Sequence, residues 1–111
     1  MMVRIYHNPR CSKSRQTLAL IEGQGITPDV IQYLDTPPTP QELNEILGML
    51  GMAPADILRK KEAKEEGIAD LRGDELIEAL CAHPRAIERP IVVNGKKAAL
   101  GRPPESVLEI L

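Results

Sequence analysis

Apolar and polar positions alternate along this chain in short, distinct periods. Val3, Ile5 and Tyr6 form a β-branched and apolar run over residues 3–6, which predicts a buried strand. His7-Asn8-Pro9 ends it, because Pro9 cannot donate to a ladder and favours a turn. From Ser12 the spacing becomes helical, with Leu18, Ile21 and the small Ala19 on one face and Gly23 and Gly25 closing the helix. Residues 29–34 predict a second strand, set between Pro28 and the turn Asp35-Thr36-Pro37-Pro38.

Thr39-Pro40-Gln41-Glu42 predicts a helix start, in which Thr39 caps, Pro40 fits the first turn and Glu42 completes a capping box. Leu43, Ile46, Leu47 and Leu50 follow at helical spacing. A short helix is expected from Pro54, carrying Ile57, Leu58 and Arg59, and then a solvated charged face over residues 60–66. Residues 74–82 predict a further helix with Leu76, Ile77, Leu80 and Cys81 inward. Residues 90–93 and 96–100 then read as two strands joined at Asn94-Gly95, a strong hairpin signal. Pro103 and Pro104 open a last helix with Val107, Leu108 and Leu111 on its apolar stripe. The order βαβ, helical segment, ββα predicts an α/β chain with a thioredoxin-like sheet and an inserted helical segment near residues 39–82. No repeat or linker divides it, so one domain over 1–111 is expected.

Composition narrows the function. With 111 residues, 42% of them hydrophobic, a single core can form without metal or disulfide support. The longest apolar runs, such as residues 91–93, are far too short for a bilayer, and no signal-peptide pattern is present, so a cytoplasmic protein, with no membrane partner, is expected. A net charge of −2, two Tyr, no Phe and no Trp argue against nucleic acid as a partner. Any bound anion must therefore be held by a local basic cluster. Two cysteines make no disulfide framework, and no Cys/His grouping beyond His7 and Cys11 suggests a metal site.

Cys11 stands where the first strand passes into the first helix. Thiolate is the nucleophilic form of cysteine, and a helix N-terminus favours negative charge. The N–H groups of Ser12, Lys13 and Ser14 should face the sulfur, with Arg10, Lys13 and Arg15 adding positive charge nearby and His7 four residues upstream. These contributions should lower its pKa below about 8.5. Cys81 shares a helical face with Ile77 and is expected in the core. Ser14 stands where a dithiol motif has its second Cys, so an external thiol must complete any redox cycle. Thr17 stands where the arginine of a Cys-x5-Arg phosphatase loop would be.

Four segments carry a resemblance. His-Asn-Pro-Arg-Cys-Ser-Lys-Ser-Arg at 7–15, Ile-Leu-Arg-Lys at 57–60, Glu-Arg-Pro-Ile-Val-Val at 88–93 and Gly-Arg-Pro-Pro-Glu at 101–105 resemble the glutaredoxin-coupled arsenate reductases of the short chromosomal type. The resemblance implies that Cys11 forms a thiol–arsenate adduct, that His7 lowers its pKa, and that Arg15 completes the motif. It implies that Arg59, Arg89 and Arg102 hold the oxyanion, and that Pro90 follows a cis peptide opposite the cysteine. No bound cofactor is implied; glutathione would be a co-substrate, glutaredoxin the partner, and the protein a monomer. Some relatives carry Cys where this chain has Gly101. The fold and motifs also fit a general glutathione-dependent thiol oxidoreductase, or a non-enzymatic regulator that binds RNA polymerase. Ser14 speaks against the regulator, which typically carries a Cys-x-x-Cys switch.

Overall fold

In the computed structural model, which describes residues 2–111, the strand-forming runs make one four-stranded sheet in the order β2-β1-β3-β4. Strand β1 (Val3–His7) is central, parallel to β2 (Asp29–Gln32) and antiparallel to β3 (Ile91–Asn94). Strand β4 (Lys97–Leu100) pairs antiparallel with β3. Ile5 sits opposite both Val30 and Val92. The two inner strands are the apolar ones, with Val3, Ile5, Tyr6, Ile91, Val92 and Val93 buried. The edge strand β2 is largely open to solvent, and β4 is mostly half-buried. Strands covered on both faces read as continuous apolar runs, which is why these two were the plainest in the sequence. The arrangement is the expected thioredoxin-like one, with helices between β2 and β3.

The chain divides into two compact units. The first comprises the chain up to Thr36 together with Arg89–Leu111, and the second is Pro37–Glu88. In the first, helix α1 (Ser12–Gly23) buries Ser14, Thr17 and Ile21, so of the expected face of Leu18, Ala19 and Ile21 only Ile21 is fully buried. Ala19 is exposed, and Leu18 packs half-buried against the cluster of Val3, Ile5, Ile21, Val92 and Val107. Small hydroxyl residues can face inward here because their hydrogen bonds are made. Thr17 Oγ1 donates to the Lys13 carbonyl at 2.8 Å, and Ser14 Oγ meets His7 Nδ1 at 2.6 Å. Gly25 takes the left-handed conformation (φ 78°) that ends the helix region.

The β3–β4 connection differs from expectation by one residue. Asn94 remains in the ladder opposite Lys97, and the turn is Gly95-Lys96, with Gly95 at φ 62°. Asn94 is held there because its side-chain amide donates to the Ile110 carbonyl at 2.6 Å. The last helix is a 3-10 segment, Pro104–Ile110. Its period of three puts Pro104, Val107 and Ile110 inward; of the expected stripe Val107 and Leu111 pack in or against the core, whereas Leu108 is exposed.

In the second unit, α2 (Pro40–Leu50) begins with the predicted capping box. Glu42 N–H donates to Thr39 Oγ1 at 3.1 Å, and Thr39 N–H donates to Glu42 Oε1 at 3.0 Å. Its buried Leu43, Ile46 and Leu47 lie on the helix that packs with α4 (Gly73–Ala82), which buries Leu76, Ile77 and Leu80. The helix expected from Pro54 is one 3-10 turn, Pro54–Ile57, after which Leu58 is extended and bridges Ile87. Helix α3 (Lys60–Glu65) buries only Ala63, as a solvated charged helix should. No helix among the described residues is long and apolar enough to cross a membrane.

Candidate active site

The sharp turn after β1 delivers Cys11 to the N-cap of α1. Cys11 N–H donates to the Asn8 carbonyl at 3.0 Å, and Arg10 N–H donates to Asn8 Oδ1 at 3.0 Å. Arg15 braces the same turn twice: its N–H donates to the Cys11 carbonyl and its guanidinium to the Pro9 carbonyl, both at 3.0 Å. A side chain at the N-cap faces the second and third amides of the helix, which here belong to Lys13 and Ser14. The thiol forms no closed capping hydrogen bond, and no acidic residue occupies the first turn to oppose a negative charge.

The balance of influences on Cys11 can be stated in order. Burial, the largest, disfavours the thiolate. The Ser14 amide, the Arg89 guanidinium, the Lys13 amide and the Arg102 guanidinium together outweigh it and hold the pKa below the ordinary thiol value. The helix terminus acts as the sequence suggested. The positive charge, however, comes from Arg89 and Arg102, far along the chain, rather than from Arg10 and Arg15.

His7 is buried at the end of β1, and burial, followed by the charge of Arg15, lowers its pKa. Ser14 Oγ accepts the Asn8 N–H at 3.0 Å and is hydrogen-bonded to His7 Nδ1 at 2.6 Å. The lowered pKa leaves the imidazole neutral near pH 7. Neutral, it adds no positive charge beside Cys11. Its link to the thiol runs through Ser14, whose hydroxyl ties β1 to the helix that caps the sulfur.

Arg89 and Arg102 flank the entrance to β3 and the exit from β4. The pairing of these strands brings them together: Gly101 N–H donates to the Pro90 carbonyl at 2.9 Å, and the Arg102 guanidinium donates to the Arg89 carbonyl at 3.3 Å. The Arg89–Pro90 peptide is cis as expected, and Arg102–Pro103 is cis as well. Gly101 is buried at this junction. A Cβ there would stand 2.7 Å from Pro90 Cγ and against Thr17 Oγ1, so a Cys, as in some relatives, has no room beside this Thr17.

The structure thus joins Cys11, Arg89 and Arg102 electrostatically within the first unit, with His7, Ser14 and Arg15 shaping the turn. Arg59 belongs to the second unit. There it pairs with Glu62 at 2.8 Å, donates to the Arg85 carbonyl at 3.2 Å, and is anchored by its N–H on the Ala86 carbonyl at 2.8 Å. Cys81 is half-buried rather than enclosed, and burial with Glu42 and Glu78 pushes its pKa up to about 11. Ser14, Thr17 and Gly101 are site-shaping residues that sequence patterning missed. The sequence points to the Ser14 backbone amide beside the sulfur and to Ser14 as the missing second thiol, but not to its hydroxyl, which meets His7. Among the described residues no three His, Cys, Asp or Glu side chains gather as metal ligands would.

Comparison with known proteins agrees with this geometry. The chain is 50% identical to the uncharacterized protein YfgD of Escherichia coli (strain K12), over 98% of this chain and 96% of that one. It is 48% identical to an arsenate reductase of Haemophilus influenzae over the full length of both. A solved arsenate reductase structure from Vibrio cholerae superposes with a TM-score of 0.91 at 51% identity, covering 100% of this chain and 98% of that one. The profile of the ArsC family matches residues 6–110, which takes in the Cys11 turn, both arginines and the strands that join them: the chain belongs to the ArsC family.

Proposed function

We propose that this chain reduces arsenate to arsenite, using Cys11 as nucleophile and glutathione with glutaredoxin as the source of electrons. The observation that carries the reading is the setting of Cys11: a helix N-cap whose amides, with Arg89 and Arg102, favour the thiolate. Arginine forks suit a tetrahedral oxyanion, and the same fixed charges that stabilise the thiolate would bind arsenate. Arg59 is proposed as a third arginine of the site, on the strength of its motif. The family membership and the arsenate reductases among its relatives support the substrate.

In the proposed cycle the Cys11 thiolate attacks arsenic(V), a sulfur–arsenic bond forms, and hydroxide leaves with a proton from solvent. Glutathione thiol then adds, and two thiols become one disulfide as arsenic(V) becomes arsenic(III). Summed over the cycle, arsenate and two glutathiones give arsenite, glutathione disulfide and water. Ser14 leaves Cys11 without a neighbouring resolving thiol, so the disulfide must be discharged by a thiol from solution. The test is arsenate-dependent NADPH oxidation with glutathione, glutathione reductase and glutaredoxin all present. Turnover that requires both glutathione and glutaredoxin is expected. Its absence, with Cys11 shown to be reduced and reactive, would overturn the arsenate reading. Good mixed-disulfide reduction without arsenate dependence would instead favour a general thiol oxidoreductase.

A further inference from the structure

A concavity opens beside the turn that leads to Cys11. It has a volume of about 330 Å³ and is lined by His7, Asn8, Arg10, Gln32, Leu34 and Asp35 among others, all within the first unit. Two opposite charges face it, Arg10 from the turn and Asp35 from the end of β2. Both side chains are exposed, and neither enters any ion pair among the described residues. The backbone fixes both positions. Arg10 N–H is tied to Asn8 Oδ1 at 3.0 Å, and Asp35 N–H to the Gln32 carbonyl at 3.0 Å. The rest of its polar lining is neutral, from Asn8, Gln32 and His7.

Such a cavity selects against simple ions. An oxyanion would be attracted by Arg10 but repelled by Asp35, and a lone cation the reverse. A ligand that carries both signs a few bonds apart satisfies both walls, and an α-amino-acid headgroup is the common chemical form of that pattern. We propose that this cavity binds the zwitterionic γ-glutamyl headgroup of glutathione, its carboxylate toward Arg10 and its ammonium toward Asp35. Cys11 N–H donates to the carbonyl of Asn8, a residue of the cavity wall, so the thiol and the cavity share one turn. A headgroup held there leaves the cysteinyl arm of the same molecule directed along the turn to the sulfur. The proposal rests on the use of glutathione inferred above, and adds where and how it is recognised.

Two measurements test it without arsenate, so failure of arsenate turnover would strike the function above and leave this result standing. In the first, amide resonances of the full chain are followed by NMR during titration with S-methylglutathione, and separately with free glutamine at equal millimolar concentration. Saturable shifts at Asn8, Arg10, Gln32 and Asp35 are expected with S-methylglutathione, weakened about tenfold in Asp35→Asn. No shifts at these residues with S-methylglutathione, or an affinity unchanged in Asp35→Asn, would overturn the proposal; glutamine, which carries the same headgroup, should shift the same residues. The second measures how fast Cys11 exchanges with a disulfide, its thiolate attacking one sulfur to form a mixed disulfide as the other leaves as thiolate. Asp35→Asn should slow reaction with glutathione disulfide about tenfold and leave bis(2-hydroxyethyl) disulfide unaffected. Equal slowing of both reagents would mean that Asp35 only supports the fold, and would also overturn it.

Discussion

The two cysteines sit in the two compact units and are buried to a similar, intermediate degree, yet their chemistry diverges. Burial alone would raise both pKa values. Cys11 caps the N-terminus of α1, where backbone amides and two arginines more than offset that burial. Cys81 lies near the C-terminal end of α4, where the helix dipole has the opposite sign, and Glu42 and Glu78 add to the effect of burial. Exposure therefore does not identify the reactive thiol. The polarity of the helix end and the signs of the nearest side chains do. Glu42 serves twice in this contrast, completing the capping box of α2 and disfavouring ionisation of Cys81.

The largest effect expected from breaking the contrast is at the thiols themselves. Cys11→Ser should abolish arsenate turnover in the coupled assay, while Cys81→Ser should retain most of it. Loss of activity in both variants would remove the distinction. Next come the arginines. Arg89→Ala and Arg102→Ala should each lower turnover by about tenfold to a hundredfold and raise the pKa of Cys11. Lys should restore the pKa better than the turnover, because it keeps the charge but loses the planar fork. Steady-state kinetics together with alkylation rates against pH separate these two outcomes.

How much of this was legible in the sequence depended on the kind of force involved. The inner strands, the capping box and the hairpin announced themselves because apolar burial, cap chemistry and turn conformation are local. The N-terminal position of Cys11 was legible for the same reason, and the cis peptide before Pro90 came through the family resemblance. The inward face of α1 was legible only in part. Hydrophobic patterning favoured Leu18, Ala19 and Ile21. Of these the structure fully buries Ile21, and it adds Ser14 and Thr17, whose hydroxyls are satisfied by partners seven and four residues away. The source of the charge on Cys11 was also hidden. Sequence neighbours pointed to Arg10 and Arg15, but strand pairing brings in Arg89 and Arg102 instead. The lowered pKa of His7 was hidden too, because it comes from burial in the folded turn and from Arg15.

Two smaller effects sharpen the comparison between the units. Gly101→Ala places a methyl group against Thr17 and Pro90, and should cost about 1–3 kcal/mol of stability by overpacking. Thr17→Ala in the same chain should return part of that loss, as urea unfolding can measure. Thr39→Ala removes one arm of the capping box in the second unit and should cost about 1 kcal/mol. Unlike the Gly101 change, it should leave the titration of Cys11 where it was.

The account turns on the claim that Cys11 alone is poised as a thiolate, and ultraviolet absorbance of the thiolate against pH measures this in the wild type, Cys11→Ser and Cys81→Ser proteins. Because the folded pKa of Cys11 is lowered, its stabilising contribution is full above the unfolded value and is lost as pH falls through the folded one. The wild type should therefore show one absorbance step below the ordinary thiol value of about 8.5 and a second near 11. The lower step should vanish in Cys11→Ser and persist in Cys81→Ser. A lower step that survives in Cys11→Ser, or a Cys11 that titrates at or above the ordinary value, would contradict the account.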